Sequence, residues 1–231
     1  GCGVYVAFIP REDAALMSIT YVGEAEALLT EVTLPTFQVG DLAIVHAYRL
    51  AVATAPSLPA GWTSEGTVTQ GTDPTSIARR TGRRILQAGD TTTGVWTNAT
   101  GVAVLVLRGV NSSTPMGTKS SATSASGTSM SFASITLQTT DGSSWVLSLG
   151  CHFSATDVNT VALSGTTNRS GGTLTQQCIH TAENVSTWPT TAKTVNADNP
   201  HIRHVVEVKA AGSVGGSILR GVGNGIMGGV L

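Results

Sequence analysis

The sequence predicts an all-β chain, an antiparallel β-sandwich of jelly-roll-like type with an N-terminal arm and a Gly-rich C-terminal extension, on three observations. Apolar segments of strand length recur between clusters of Gly, Pro, Asn and Asp, the pattern of short strands joined by turns. Glycine supplies 27 of the 231 residues and Ser and Thr are abundant, whereas the helix-favouring Glu, Lys and Gln are sparse. Over most of the chain no segment carries a convincing helical period. The expected divisions are an arm over 1–16, a sandwich domain over 17–210 and an assembly arm over 211–231.

Taken in order, Val4 to Ile9 reads as a short apolar strand or arm, and the domain starts near Met17. Glu24 to Leu29 has the composition of a helical turn, and Thr30 to Leu34 returns to a strand pattern. Gly40 and Asp41 suit a turn, after which Leu42 to Leu50 alternates with both faces apolar. Pro56, Pro59 and Gly61 mark a loop, with Trp62 as a large anchor where the chain re-enters the sheet. Ser76 to Leu86 is expected as a strand or hairpin with exposed arginines, since Gly82 argues against a helix there.

The strongest strand signal is Val102 to Arg108. Val102, Val104 and Val106 would point to one face and Ala103, Leu105 and Leu107 to the other. A strand apolar on both faces is central in a layered core or covered by a neighbouring copy, and Leu42 to Leu50 is its expected partner. Thr114 to Ser129 reads as a Ser/Thr/Gly-rich loop. Cleaner half-buried strands follow at Ala133–Gln138, Trp145–Phe153 and Ile202–Lys209, with a weaker one near Leu174–Thr181 in the polar stretch between the last two.

Charged residues make up 12% of the chain, 13 Lys and Arg against 14 Asp and Glu, so a nucleic-acid partner, which needs clustered cations, is not expected. Cys2, Cys151 and Cys178 make no even disulfide set, and free buried thiols are expected. GCGVYVAFIP has no basic segment ahead of its apolar residues, so no signal peptide is expected. No apolar run reaches the roughly 20 residues of a membrane span. Gly221, Gly225 and Gly229 have the spacing of close helix packing, but Arg220 and Asn224 interrupt a membrane reading.

The chemistry-bearing residues do not assemble into a reaction. Cys151 with His152, Cys178 with His180, and His201 with His204 are the nearest metal-like pairs, but adjacent strand residues face opposite ways and zinc needs four converging ligands. No Gly-x-Ser-x-Gly elbow occurs, and Asp73, Asp90, Asp141 and Asp157 sit in turn-like sequence, where Asp bonds nearby amides. No enzyme activity, metal or cofactor is expected. The candidates that remain are for partner contact. Arg79, Arg80, Arg83 and Arg84 could meet phosphate or carboxylate through paired bonds, or form a solvated face. Ile218, Leu219, Ile226 and Met227 could seat a Gly-rich arm on other subunits, glycine letting the backbone approach closely. Trp62, Trp96, Trp145 and Trp188 could stack on sugars or serve as buried anchors.

GDLAIVHAYR at 40–49, PSLPAGWT at 56–63 and GVWTNATGVAVLVLRGV at 94–110 together resemble a family of small β-rich minor tail proteins of tailed bacteriophages and prophages. The resemblance covers residues 17–110 well and the rest in general character, and its motifs are structural, so no catalytic residue is carried over. It implies a virion structural protein of the tail or tail tip, made in the bacterial host cytoplasm. Other virion proteins and copies of itself would be its partners, with contact to a host-surface glycan as a further implied role. A capsid decoration protein and a stand-alone carbohydrate-binding module are the alternatives.

Overall fold

Leu42–Leu50 and Gly101–Arg108, the segments with apolar residues on both faces, are antiparallel neighbours inside one sheet. The computed structural model describes residues 18–154, 163–169, 175–181 and 185–212, with 175–181 as backbone. The arm over 1–16, Asp157 and nearly all of the arm over 211–231, with Ile218, Leu219, Ile226 and Met227, lie outside the described residues.

The first sheet contains β1 (Thr20–Ala27), β2 (Leu42–Leu50), β3 (Thr63–Gln70), β4 (Ile77–Ile85) and β5 (Gly101–Arg108), in the order β1-β5-β2-β4-β3. The second contains β6 (Met116–Ser124), β9 (Trp145–His152), β10 (Thr167–Asn168), β11 (Thr175–Thr181) and β14 (His201–Val208), in the order β10-β11-β9-β14-β6. Short strands pair across the second half: β7 (Ser129–Phe132) with β13 (Thr191–Thr194), and β8 (Ile135–Thr136) with β12 (Thr187–Trp188). Every pairing is antiparallel, and the fold is the expected all-β sandwich.

Its strand order refines the jelly-roll expectation, because each sheet is drawn wholly from one half of the chain. Read from the β6 edge, the second sheet runs β6-β14-β9-β11-β10, so strands counted within each half follow the same order, 1-5-2-4-3, in both sheets. In each half the first strand carries a bulge opposite the end of the fifth, at Tyr21/Gly23 against β5 and opposite Val206/Val208 of β14. The connections entering the second and fifth strands also pair with each other in both halves. Leu34 N donates to Thr91 O and Thr93 N to Val32 O in the first, and β7, β8, β12 and β13 make the equivalent layer in the second. Just past β5 and β14 the two halves meet reciprocally: Asn111 N donates to Lys209 O (2.9 Å) and Ala211 N to Gly109 O (2.7 Å). These two bonds are the ordinary pair of the antiparallel bridge Val110–Ala210, and they join two halves that repeat one five-stranded topology.

Three layers of core result. Between the sheets, Leu42, Ile44, Leu105 and Leu107 meet Leu147, Leu149, Val206 and Val208. Outside the first sheet, Ala43, Val45, Val102, Val104 and Val106 are covered by Leu34, Trp62, Leu86 and Trp96. Outside the second, Val146 and Val205 are covered by Met130, Phe132, Ile135, Leu137, Trp188 and Val195. Each fully buried aliphatic or aromatic side chain contributes about 1.5–3 kcal/mol. The doubly apolar strands are thus explained by the chain's own connections, with no neighbouring copy needed to cover them.

Several expected elements differ. Glu24 to Leu29 is not a helical turn: Glu24–Ala27 continues β1, where pairing to β5 overrides the helix preference of Glu and Ala. Thr30–Leu34 is a covering loop with an isolated bridge, Thr33 to Thr92. Thr114–Ser129 is mostly the edge strand β6, whose small polar residues pair fully with β14. The strand expected over Ala133–Gln138 shrinks to β8, and β3, β7, β10, β12 and β13 are additional.

Candidate functional site

The four arginines lie on β4, and strand alternation separates them. Arg80 and Arg84 flank Gly82 on the outer face, while Arg79 and Arg83 face the second sheet. They therefore form no single exposed patch, which corrects the expectation of a strand with exposed arginines. Arg79 is fully buried and the other three are half-buried.

Two of them are committed within the chain. Arg84 grips Asp90 with Nη2 (2.6 Å) and Nε (3.1 Å), and Asp90 also accepts the Gln87 amide. Arg83 Nε donates to Glu65 Oε1 at 2.5 Å, and Lys119 Nζ to Glu65 Oε2 at 2.9 Å. Glu65 sits in the β3 bulge between Ser64 and Gly66. It ties β4 of one sheet to β6 of the other and closes that side of the sandwich.

Arg79 differs. It pairs with no carboxylate among the described residues, and its Nη2 donates to Ser121 Oγ at 3.2 Å on β6. Ser121 Oγ lies 2.8 Å from His204 Nδ1 on β14. Beside them on the first sheet, His46 faces Thr81 across β2 and β4. His46, Arg79, Thr81 and His204 are all buried, and Ser121 forms the exposed end of the group. Both His46 nitrogens, Arg79 Nε and Nη1, Thr81 Oγ1 and His204 Nε2 are buried without a hydrogen-bond partner among the described residues. Burial holds both imidazoles well below the ordinary histidine range, with the Arg79 charge acting in the same direction. Burial also lowers Arg79 to about 10, which leaves it charged at neutral pH. The sandwich thus contains a polar, cationic layer where apolar packing is expected.

Some other buried polar groups are better satisfied. The Glu207 carboxylate accepts from Thr118 N, Gln138 N, Thr139 N and Ser144 Oγ, all within 3.1 Å. Asp41 takes a two-bonded grip from Arg108 at 2.9 and 2.8 Å and also accepts the Gln38 amide. His152 and His201 stack at 5.5 Å, and Arg203 Nη1 donates to His201 Nε2 at 2.6 Å.

Two of the metal-like pairs, Cys151 with His152 and His201 with His204, diverge, while Cys178 and His180 lie on β11, described as backbone alone. Cys151 is a free thiol in the inter-sheet core, pushed up to about 12 by burial. His201 and His204 lie on opposite faces of β14. Cys178 stands opposite Ser148 and Cys151 opposite Thr175, about 10 Å apart along the strands and too far for a disulfide. Among the described residues no group of three or more His, Cys, Asp or Glu is placed to hold a metal ion. Asp90 and Asp141 accept the nearby amides of Gln87 and Ser143, as turn aspartates do, and Asp73 accepts the amide of Ala53, distant in sequence. Trp62, Trp96 and Trp188 are buried anchors, and Trp145 is half-buried.

Sequence reasoning missed His46 and His204 as companions of Arg79. The signal was present, since each occupies an inward position of an apolar strand. Lys119 and Ser121 were hidden by the loop reading of their segment.

On the outside, Leu28 and Leu29 are 65% and 64% exposed and Val95 54%. Leu29 lines a shallow groove of about 350 Å³ with Ala25, Ala27, Val32 and Thr92, along β1, an edge strand among the described residues. Val95 is beside it, because Trp96 N donates to Thr30 O. Compared with family models, curated proteins and solved structures, the chain matches none.

Proposed function

We propose that the chain is a structural component of a tailed-phage virion, a minor tail or tail-tip protein that acts by packing against other virion proteins and copies of itself. The observation that carries this reading is the contrast between sealed faces and an open apolar rim. Both sheets are covered by the chain's own connections, while Leu28, Leu29 and Val95 stay exposed beside β1, which among the described residues is an edge strand. Exposed apolar groups next to an edge strand suit a protein neighbour. The role requires no catalysis, metal or cofactor. A glycan contact has less support, because Trp62, Trp96 and Trp188 are used as buried anchors.

Leu28→Asp/Leu29→Asp/Val95→Asp tests the reading. The variant should keep the wild-type melting temperature, because these side chains support no core, and its incorporation into tails should fall at least about tenfold, as expected when a buried apolar contact of ~1.4 kcal/mol or more is lost. Normal incorporation of a folded variant would contradict the assigned rim.

A further inference from the structure

The polar layer between the sheets is donor-rich and positively charged, and its acceptors, the neutral imidazoles and the hydroxyls, are uncharged. A guanidinium has five N–H donors, and in Arg79 only Nη2 finds a partner, the Ser121 hydroxyl. Around it stand the Thr81 hydroxyl, both nitrogens of His46 and Nε2 of His204, all buried and unpartnered among the described residues. Removing an arginine from water without a counter-charge is strongly unfavourable, and buried polar atoms are normally paired. Water could satisfy some of these donors but would leave the charge uncompensated.

The surroundings restrict what could do both. Tyr48, Ile77, Cys151 and Ile202 form a fully buried cluster at one end of the layer, apolar but for the Tyr48 hydroxyl, which is also unpartnered among the described residues, and Ile44, Leu105 and Leu149 belong to the apolar core at the other. Ser121 on the edge strand β6 is the exposed member on the remaining side, so a small anion would enter past its hydroxyl, next to the Lys119–Glu65 pair that closes the neighbouring stretch. We propose that His46, Arg79, Thr81 and His204 bind a small inorganic anion of the halide class between the two halves of the sandwich, as the counter-charge to Arg79. The site is independent of the virion role.

Bromide is the probe. Crystals of the full chain grown in bromide and measured at the bromine absorption edge should show an anomalous peak within hydrogen-bonding distance of Arg79. A peak elsewhere, or a non-anomalous water there, overturns the proposal. In solution, at constant ionic strength balanced with gluconate, raising bromide from 1 to 300 mM should lift the wild-type melting temperature by about 5 °C along a saturating curve. Arg79→Met should remove that dependence and melt at or above the wild type in halide-free buffer, since apolar replacement of a buried ion is often stabilising. A shift of equal size in a folded Arg79→Met, or none in the wild type, overturns it. Should the variant fail to fold, the anomalous peak decides.

Discussion

A Cβ on Gly82 would stand 2.6 Å from Cη2 of Trp96 and 2.9 Å from Leu58 Cδ1, so the indole lies against bare backbone of β4. Trp62 meets the same ring edge-on, at 5.5 Å and 70°. The Pro-Gly-Trp turn and the second tryptophan therefore make one plug over the outer face of the first sheet. Gly82→Ala should destabilise the fold by about 1–3 kcal/mol through overpacking, read as a lower urea midpoint with unchanged slope. A midpoint equal to wild type would show that the plug yields without cost.

Glu207 and Gly117 form a comparable pair in the second half. A Cβ on Gly117 would come within 2.1 Å of Glu207 Oε2, the oxygen that accepts Thr118 N and Gln138 N. Glu207→Gln replaces one acceptor oxygen by a donor facing backbone N–H groups, and should cost about 3 kcal/mol. Gly117→Ala should lower the same unfolding midpoint by displacing the carboxylate. If both variants unfold like the wild type, the carboxylate hub does not hold the 138–144 connection.

The buried histidines set an acid limit. His46 and His204 are held neutral, with folded pKa values below the ordinary value of about 6.5. Below that pH the unfolded chain binds protons that the folded chain does not, so stability is full above it and falls as pH drops towards the folded values. In halide-free buffer the limb should steepen by up to ~1.4 kcal/mol per pH unit for each of the two. His46→Leu should remove about half of that extra slope, as measured by chemical denaturation between pH 4 and pH 8. An unchanged slope would mean that His46 does not titrate on unfolding.

How far the fold could be read depended on where each strand sits. β2, β5, β9 and β14 are interior strands whose apolar inner residues, such as Ile44, Leu105, Leu147 and Val206, make the alternation plain. β6 is an edge strand with Lys119 and Ser121 turned to the polar layer, so MGTKSSATS carries no apolar period. β1 has Glu24 to Ala27, favourable to a helix, and becomes a strand only through pairing with β5. The repeated topology was hidden because the halves share strand order and not residues: His46 and Tyr48 in β2 correspond to Leu149 and Cys151 in β9. The arginine site was half legible. Four arginines on a strand were visible, but placing Arg79 inside required the register that sets it against Tyr48 and Val68.

The location of the chain in the particle tests the central claim most directly. Quantitative mass spectrometry of gradient-purified particles, separated into tails and heads, should find the chain at a fixed stoichiometry in the tail fraction. Enrichment in heads would make it a capsid decoration protein, and absence from both fractions would contradict a virion role.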